Sequence, residues 1–339
     1  MAQTTKAQTI ADIARLAGVS KSTVSRALND SPLIGAETKE RIHAIAREHH
    51  FSMNEQARRL SLRHSNVIGL VRFDWGHKLK AFDMFMLEIL GGISTGLAEL
   101  GYELLVLQAS VDDQDWARRA LDAGRADGFV LIHPAWTPEQ LGARARDGVP
   151  LVVWGSPPKS GGYSTVSGDS LSGGRLATEH LLAIGRRRIA FVGGPTGSLE
   201  VMERRRGYEE TLREAGIEID PNLIVHHSWM HAERSGAEEA VKLLELDPPV
   251  DAIFACSDMA ALGAMEAIRD SGRTIPDDVA VVGYDDIAVA AYSNPPLTTI
   301  RQDGPLVGTL LARALVQQLQ TGAVTNVSLP AELVVRESA

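Results

Sequence analysis

Apolar positions along the chain change their spacing twice. From Thr9, residues Ile10, Ile13, Ala14 and Ala17 recur along one helical face, with Thr9 placed to cap the helix, Asp12 at its third position and Gly18 to end it. Ser20 caps a second helix after a turn of only Gly18, Val19 and Ser20, and Val24, Ala27 and Leu28 form its apolar stripe. A third helix is predicted from about Glu37 to His49, where Ile42, Ile45 and Ala46 complete a three-helix core. Residues 54 to 63, NEQARRLSLR, predict about two helical turns. Nucleating so short a helix is costly, so it should order only against a partner.

After Ser65 the pattern becomes one of apolar runs alternating with amphipathic helices. VIGLVRF, YELLVLQ, GFVLI and LVVW make a first series of strands, and RIAFVG, LIVH, DAIFAC and VAVVGY a second. Helices are expected at residues 83–99, 171–184, 200–215, 232–246 and 258–271. Such alternation predicts parallel sheets with right-handed crossovers, arranged as two open α/β lobes. The expected fold is an all-α head followed by a two-lobed α/β body.

Composition adds to this picture. With 339 residues, 44% of them hydrophobic, the chain can fill more than one core. No apolar run approaches the roughly 20 residues that span a bilayer, and MAQTTKAQTI lacks the basic-then-apolar order of a secretory signal. A cytoplasmic location is therefore expected. The single cysteine, Cys256, excludes an internal disulfide and a multi-cysteine zinc site, and it reads as a small buried residue at a strand end. The net charge of −9 is unevenly spread: residues 1–66 carry ten Lys/Arg against six Asp/Glu, so a basic head precedes an acidic body. The body should repel phosphates except where the head engages them.

Two short helices joined by a tight glycine turn match the helix-turn-helix plan. Lys21, Ser22, Ser25, Arg26 and Asn29 share the polar face of the second helix, and all can donate hydrogen bonds. In this geometry the start of the second helix reaches base edges, which makes Lys21, Ser22 and Arg26 the base readers. Arg26 suits the O6 and N7 acceptors of a guanine, while Ser25 and Asn29 are placed for phosphates.

In open α/β sheets, ligands bind beyond the carboxyl ends of the strands. Those ends carry Asp74 and Trp75, Trp154, Ser257 and Asp258, and Asp285 and Asp286. Carboxylates that accept from hydroxyls, with an aromatic face over the apolar side of a ring, suit a sugar. Asp258 and Asp286 read equally well as caps of the following helices. Three other patterns point elsewhere and fail. Gly92-Ile93-Ser94-Thr95-Gly96 fits the serine-hydrolase G-x-S-x-G pattern, but it falls inside a helix and not at a strand-to-helix elbow. GGPTGS at 193–198 has neither dinucleotide-binding nor P-loop spacing, and His49-His50 and His226-His227 lack the i, i+4 spacing of helical metal ligands. No catalysis, cofactor or metal is expected.

The segments TIADIARLAGVSKSTVSRALN and ETKERIHAIAREHHFSMNEQARRL resemble the head of the lactose-repressor/galactose-repressor (LacI/GalR) family. The likeness extends through ATEHLLAIGRRRIAFVGGP, ERRRGYEETLREAGI, DAIFACSDMAALGAMEAIRDSGRTIPDDVAVVGYDD and PPLTTIRQ. It implies a helix-turn-helix domain at 1–53, a hinge helix and linker at 54–65, and a periplasmic-binding-protein-like body at 66–339. Lobe 1 is expected at about 66–163 and 297–321, and lobe 2 at about 164–296 and 322–339. By the same resemblance the hinge pairs with its copy in a dimer and inserts Leu60 into the minor groove, with Ala57 one turn earlier. Such a wedge unstacks a base step in return for contacts to bent DNA. Phe51, His50 and Met53 stand where the family usually has tyrosine, glycine and proline.

For the body, the resemblance makes Arg204 and Asp285 effector-binding residues. Ser198, Glu200 and Phe85 fall at further contact positions, and Ser257 stands where many members have asparagine. The stacking aromatic is left open between His231 and Trp229. The expected protein is a repressor of carbohydrate-utilisation genes, a homodimer or tetramer on a pseudo-palindromic operator, controlled by a small sugar. The alternatives are the same regulator sensing a nucleobase or nucleoside, a solute-binding protein of transport, and a sugar-active hydrolase. The sequence leaves open the effector's identity and whether it induces or co-represses.

Overall fold

The computed structural model describes residues 9–28, 30–51, 64–74, 84–132, 136–157, 162–226 and 231–339. The chain forms two compact units, Met1–Ser65 and Asn66–Ala339. In the first, helices α1 (Ile10–Ala17), α2 (Lys21–Leu28) and α3 (Ala36–Glu48) enclose Ile13, Ala14, Ala17, Val24, Ala27, Ile42 and Ala46. The start of α1 is a full capping box. Thr9 Oγ1 accepts from the Asp12 amide at 3.3 Å, and Asp12 Oδ2 accepts from the Thr9 amide at 3.1 Å. Gly18 ends α1 in the left-handed region at φ 65°, which turns the chain sharply toward α2.

The end of α3 shows what one of the family departures costs. His50 lies at φ 50°, while the Phe51 amide donates back to the Ala46 carbonyl at 2.8 Å. This is the left-handed helix ending that glycine serves without strain, and an L side chain there costs about 1–2 kcal/mol.

The second unit contains two six-stranded sheets. The first is built from β1 (Val67–Asp74), β2 (Glu103–Ser110), β3 (Gly128–Ile132), β4 (Leu151–Trp154), β5 (Ser164–Gly168) and β11 (Asn326–Leu329), in the order β11-β5-β4-β3-β1-β2. The second comprises β6 (Ile189–Gly193), β7 (Ile224–His226), β8 (Ala252–Ala255), β9 (Ala280–Asp285), β10 (Thr298–Arg301) and β12 (Glu332–Val334), in the order β12-β10-β9-β8-β6-β7. All pairings are parallel except β10 with β12.

These memberships correct the expected lobe limits. Ser164–Gly168 pairs with β4, so it belongs to the first lobe and not the second. Thr298–Arg301 pairs with β9 and belongs to the second lobe, and Asn326–Leu329 pairs with β5 in the first. The chain therefore crosses between lobes after Gly168, after Arg301 and after Leu329, later than 163, 296 and 321. In each case the chain completes one more strand on its sheet before crossing.

The body helices are α4 (Met84–Glu99), α5 (Trp116–Asp122), α6 (Pro138–Arg146), α7 (Ser170–Ala183), α8 (Leu199–Glu214), α9 (Ala232–Leu244), α10 (Asp258–Asp270) and α11 (Gly304–Thr321). Three helix pairs, α4 with α11, α7 with α8 and α9 with α10, meet backbone to backbone through facing glycines. A Cβ on Gly92 would run into the Pro305 carbonyl, and one on Gly308 into that of Ile89. Gly174 lies against the Arg204 carbonyl and Gly207 against that of Leu171; Gly236 meets Ala260, and Gly263 meets Glu233. The G-x-S-x-G pattern is thereby explained. It lies within α4, where Gly92 and Gly96 face α11 and Ser94 is exposed.

Among the described residues, no helix is long and apolar enough to cross a membrane. The glycine contacts give a direct stability test. Gly263→Ala forces a methyl group into the Glu233 carbonyl and should cost about 1–3 kcal/mol, read as a lowered midpoint in urea unfolding. An unchanged midpoint would show that the helices separate without penalty.

Candidate functional site

Helix α2 is held by its apolar side, with Val24 and Ala27 fully buried. The opposite face presents Lys21, Ser22 and Arg26 to solvent, with Ser25 half-buried beside them. Ser20 fixes the start of this helix by accepting from the Thr23 amide at 3.1 Å. Its hydroxyl also lies 2.8 Å from that of Ser22, so Ser22 is oriented before any ligand arrives. Below α2, Lys39 on α3 donates to the Asp30 carbonyl at 2.8 Å and ties down the following turn. Asn29, Ala57, Leu60 and the rest of the 54–63 segment lie outside the described residues.

In the body, the strand-end residues collect around one buried charge. Arg204 projects from α8 with only 5% of its surface exposed. Its guanidinium lies 3.6 Å from the centre of the Tyr284 ring, and Nη1 donates to the Cys256 carbonyl at 2.6 Å. Nε is buried without a hydrogen-bond partner. Burial opposes the charge, but Tyr284, Asp285, Cys256 and Glu200 outweigh it, so the guanidinium stands above its ordinary pKa. The same burial pushes the Cys256 thiol up to about 12.

Asp285 ends β9 at φ 116° and Asp286 follows at 58°, so two adjacent non-glycine residues are held at positive φ. Strain of this kind concentrates at functional sites. Asp285 accepts from Gln302 Nε2 at 2.8 Å. Gln302, only 8% exposed, directly follows β10 where the chain crosses to the first lobe.

The two neighbouring aspartates are held within the fold and cap neither following helix. Asp258 is fully buried, accepting from Thr299 Oγ1 at 2.5 Å and from the Ile287 amide at 2.8 Å. Burial and the charge of Asp285 push its carboxyl well above the usual carboxylate range. Ser257 caps α10 instead, accepting from the Ala260 amide at 3.3 Å. Asp286 is claimed by Arg336 at 2.5 Å and Arg301 at 2.7 Å.

The first lobe contributes an aromatic pair. Trp154, at the end of β4, and Phe85, on α4, are 6% and 7% exposed, with ring centres 6.1 Å apart. Gly168, at the end of β5, leaves room for both Gln302 and the Trp154 ring. From the second lobe, Ser198 caps α8 and donates to Glu200 Oε2 at 2.8 Å. Glu200 Oε1 accepts the backbone amide of Ser156 at 3.2 Å, a bond from lobe to lobe.

The structure thus brings together Arg204, Asp285, Ser257, Ser198 and Glu200 on one lobe, and Trp154 and Phe85 on the other. His231 lies exposed at the N-cap of α9, where its side chain makes no capping bond. Asp74 ends β1. Trp75 and Trp229 lie outside the described residues. Tyr284 and Gln302 are additions to the site. Both adjoin strand ends, the signal by which they could have been found.

A helix-turn-helix unit joined to a two-lobed, strand-end cleft defines a class of ligand-responsive DNA-binding regulators. Residues 9–54 match the bacterial regulatory proteins of the lacI family, and residues 178–339 match the periplasmic binding protein-like domain. The HTH-type transcriptional regulator CelR of Thermobifida fusca is 36% identical, covering 97% of this chain and 98% of its own. The HTH-type transcriptional repressor PurR of Aliivibrio fischeri (strain MJ11) is 29% identical, over 92% of each. Among solved structures, a CelR–cellobiose complex aligns with a TM-score of 0.72 at 33% identity, covering 98% of this chain and 100% of the other. The lac repressor dimer bound to operator and the anti-inducer ONPF gives 0.83 at 28% identity, over 97% and 98%. The chain belongs to the LacI family of bacterial transcription regulators.

The exposed face of α2 yields a test of base reading. Against operator DNA selected from a random pool, Arg26→Ala should weaken binding by about 1–3 kcal/mol and relax sequence preference, measured by fluorescence anisotropy. An equal loss on unrelated DNA would place Arg26 on a phosphate.

Proposed function

We propose that this protein is a cytoplasmic repressor of carbohydrate-utilisation genes that binds its operator as a homodimer and is controlled by a small sugar, without catalysing a reaction. The observation that carries the sugar reading is Arg204, a buried guanidinium with an unpartnered Nε beside the Asp285 carboxylate. Donor and acceptor set side by side suit vicinal hydroxyls, and Trp154 and Phe85 supply an apolar surface for the ring. The similar CelR structure holds cellobiose, which makes that disaccharide the first probe.

In this reading Lys21, Ser22 and Arg26 read bases, and Ser25 and Asn29 contact phosphates. Asp74, Phe85, Trp154, Ser198, Glu200, Arg204, Ser257 and Asp285 form the effector site, with Trp229 or His231 as a further contact. The lac repressor dimer on its operator supports two-fold binding to a pseudo-palindrome. Sugar binding shifts the balance between lobe arrangements, and a coupling of about 1–3 kcal/mol to the hinge suffices for control.

A thermal-shift panel of neutral sugars and nucleobases tests the reading. A sugar at 100 times its dissociation constant should stabilise the protein by about 2.7 kcal/mol and be recovered unconsumed. Asp285→Ala should abolish that shift while leaving operator affinity intact. A shift from nucleobases alone, or hydrolysis of the sugar, would overturn it.

For the hinge, Leu60→Ala should weaken operator binding with little change in sugar affinity, since an apolar wedge contributes only on DNA. Equal operator affinity in the variant would refute the wedge.

A further inference from the structure

The bond from Glu200 to Ser156 places a carboxylate between the lobes, beside the group already assigned to sugar binding. Its two oxygens are held from both sides, Oε2 by the Ser198 hydroxyl at 2.8 Å and Oε1 by the Ser156 amide at 3.2 Å. The approach is built into the loop that follows β4. Gly155 lies at φ 153°, and a Cβ there would sit 3.0 Å from Glu200 Oε1, closer than ordinary contacts allow. A side chain at position 155 would push the carboxylate away.

Two carboxylates, Asp285 and Glu200, already act on the single positive charge of Arg204. Asp258 adds a third carboxyl behind them, raised well above the usual carboxylate range by burial and the charge of Asp285. The guanidinium is therefore matched before a ligand enters. Among the described residues, Arg301 and Arg336 are committed to Asp286. At Arg204, a ligand phosphate or carboxylate would meet an arginine whose charge is spoken for and a carboxylate fixed at the lobe junction. Two like charges at contact distance in a partly desolvated site repel strongly. Hydroxyls meet no such penalty, because the carboxylate oxygens retain lone pairs that accept from them.

We infer that Glu200 sets the charge class of the effector: the cleft takes an uncharged polyol and refuses its phosphorylated form. This rests on the sugar reading above and narrows it. Glutamine at position 200 separates charge from geometry. Its carbonyl can still accept from Ser156, and its amide can donate to Ser198, so the link between lobes is kept while the negative charge is removed.

The test is calorimetric titration of the full-length wild type and Glu200→Gln with cellobiose and glucose, each paired with its 6-phosphate. In the wild type, the phosphorylated form of whichever sugar binds should be at least tenfold weaker than the neutral one. In Glu200→Gln that ratio should shrink severalfold, and in the wild type it should narrow as ionic strength rises. A phosphorylated sugar that binds the wild type as tightly as its neutral parent overturns the inference while leaving the sugar reading standing. An unchanged ratio in a folded Glu200→Gln protein, checked by circular dichroism, removes Glu200 as the cause and also overturns it. Nucleobase binding in the absence of any sugar binding defeats the sugar reading itself, and the inference with it.

Discussion

A guanidinium buried to 5% exposure at the ends of parallel strands is the constraint around which the ligand-binding unit is arranged. An uncompensated charge there would cost far more than the marginal stability of a domain, so partners must be supplied by the fold. The Cys256 carbonyl comes from just beyond β8, the Tyr284 ring from β9, and the Asp285 charge from the last residue of β9. Asp285 accepts in turn from Gln302, which lies on the connection to the other lobe. Asp258 then anchors β10 through Thr299 and the following loop through Ile287. One buried charge thereby fixes three strand ends and one of the crossings between lobes.

Much of this architecture is written in the spacing of apolar residues. The three head helices and eight of the body strands follow from periodicity, because one-sided burial leaves a 3.6-residue stripe and two-sided burial an apolar run. Four strands escape that rule, β5 and β10 because polar side chains fill them, and the short β11 and β12 near the end of the chain. Ser164–Gly168 reads as a loop, yet Ser164 and Thr165 are fully buried. Their hydroxyls pair with Gln318 and Asn326, chain neighbours only after folding. Thr298–Arg301 is hidden in the same way, with Thr299 bonded to Asp258. Missing β5, β10 and β11 is what displaced the three expected lobe limits. Helix α11 opens on Gly304-Pro305, which reads as a break, although proline is well suited to the first turn of a helix.

The site was legible to a different degree. The head's reading face follows from cap, turn and stripe alone, since α2 has only one way to bury Val24 and Ala27. In the body, strand-end position singled out the aspartates but could not assign their tasks. Asp258 and Asp286 serve the fold because their partners, Thr299, Arg301 and Arg336, are distant in sequence. Arg204 entered through family resemblance, which also singled out Asp285 among the strand-end aspartates. Their mutual effect depends on how α8 packs on the second sheet, and the Ser156–Glu200 bond on how the lobes meet, neither of which residue spacing encodes.

Cys256 has a practical side. It is the chain's only cysteine, it is wholly buried, and its thiol titrates near 12. Thiol reagents act on the thiolate, so the folded protein carries almost no background reactivity at neutral pH. A cysteine introduced on each lobe would accept a dye pair selectively, and opening or closing of the cleft could then be followed as a distance in solution, with the wild-type sequence otherwise untouched.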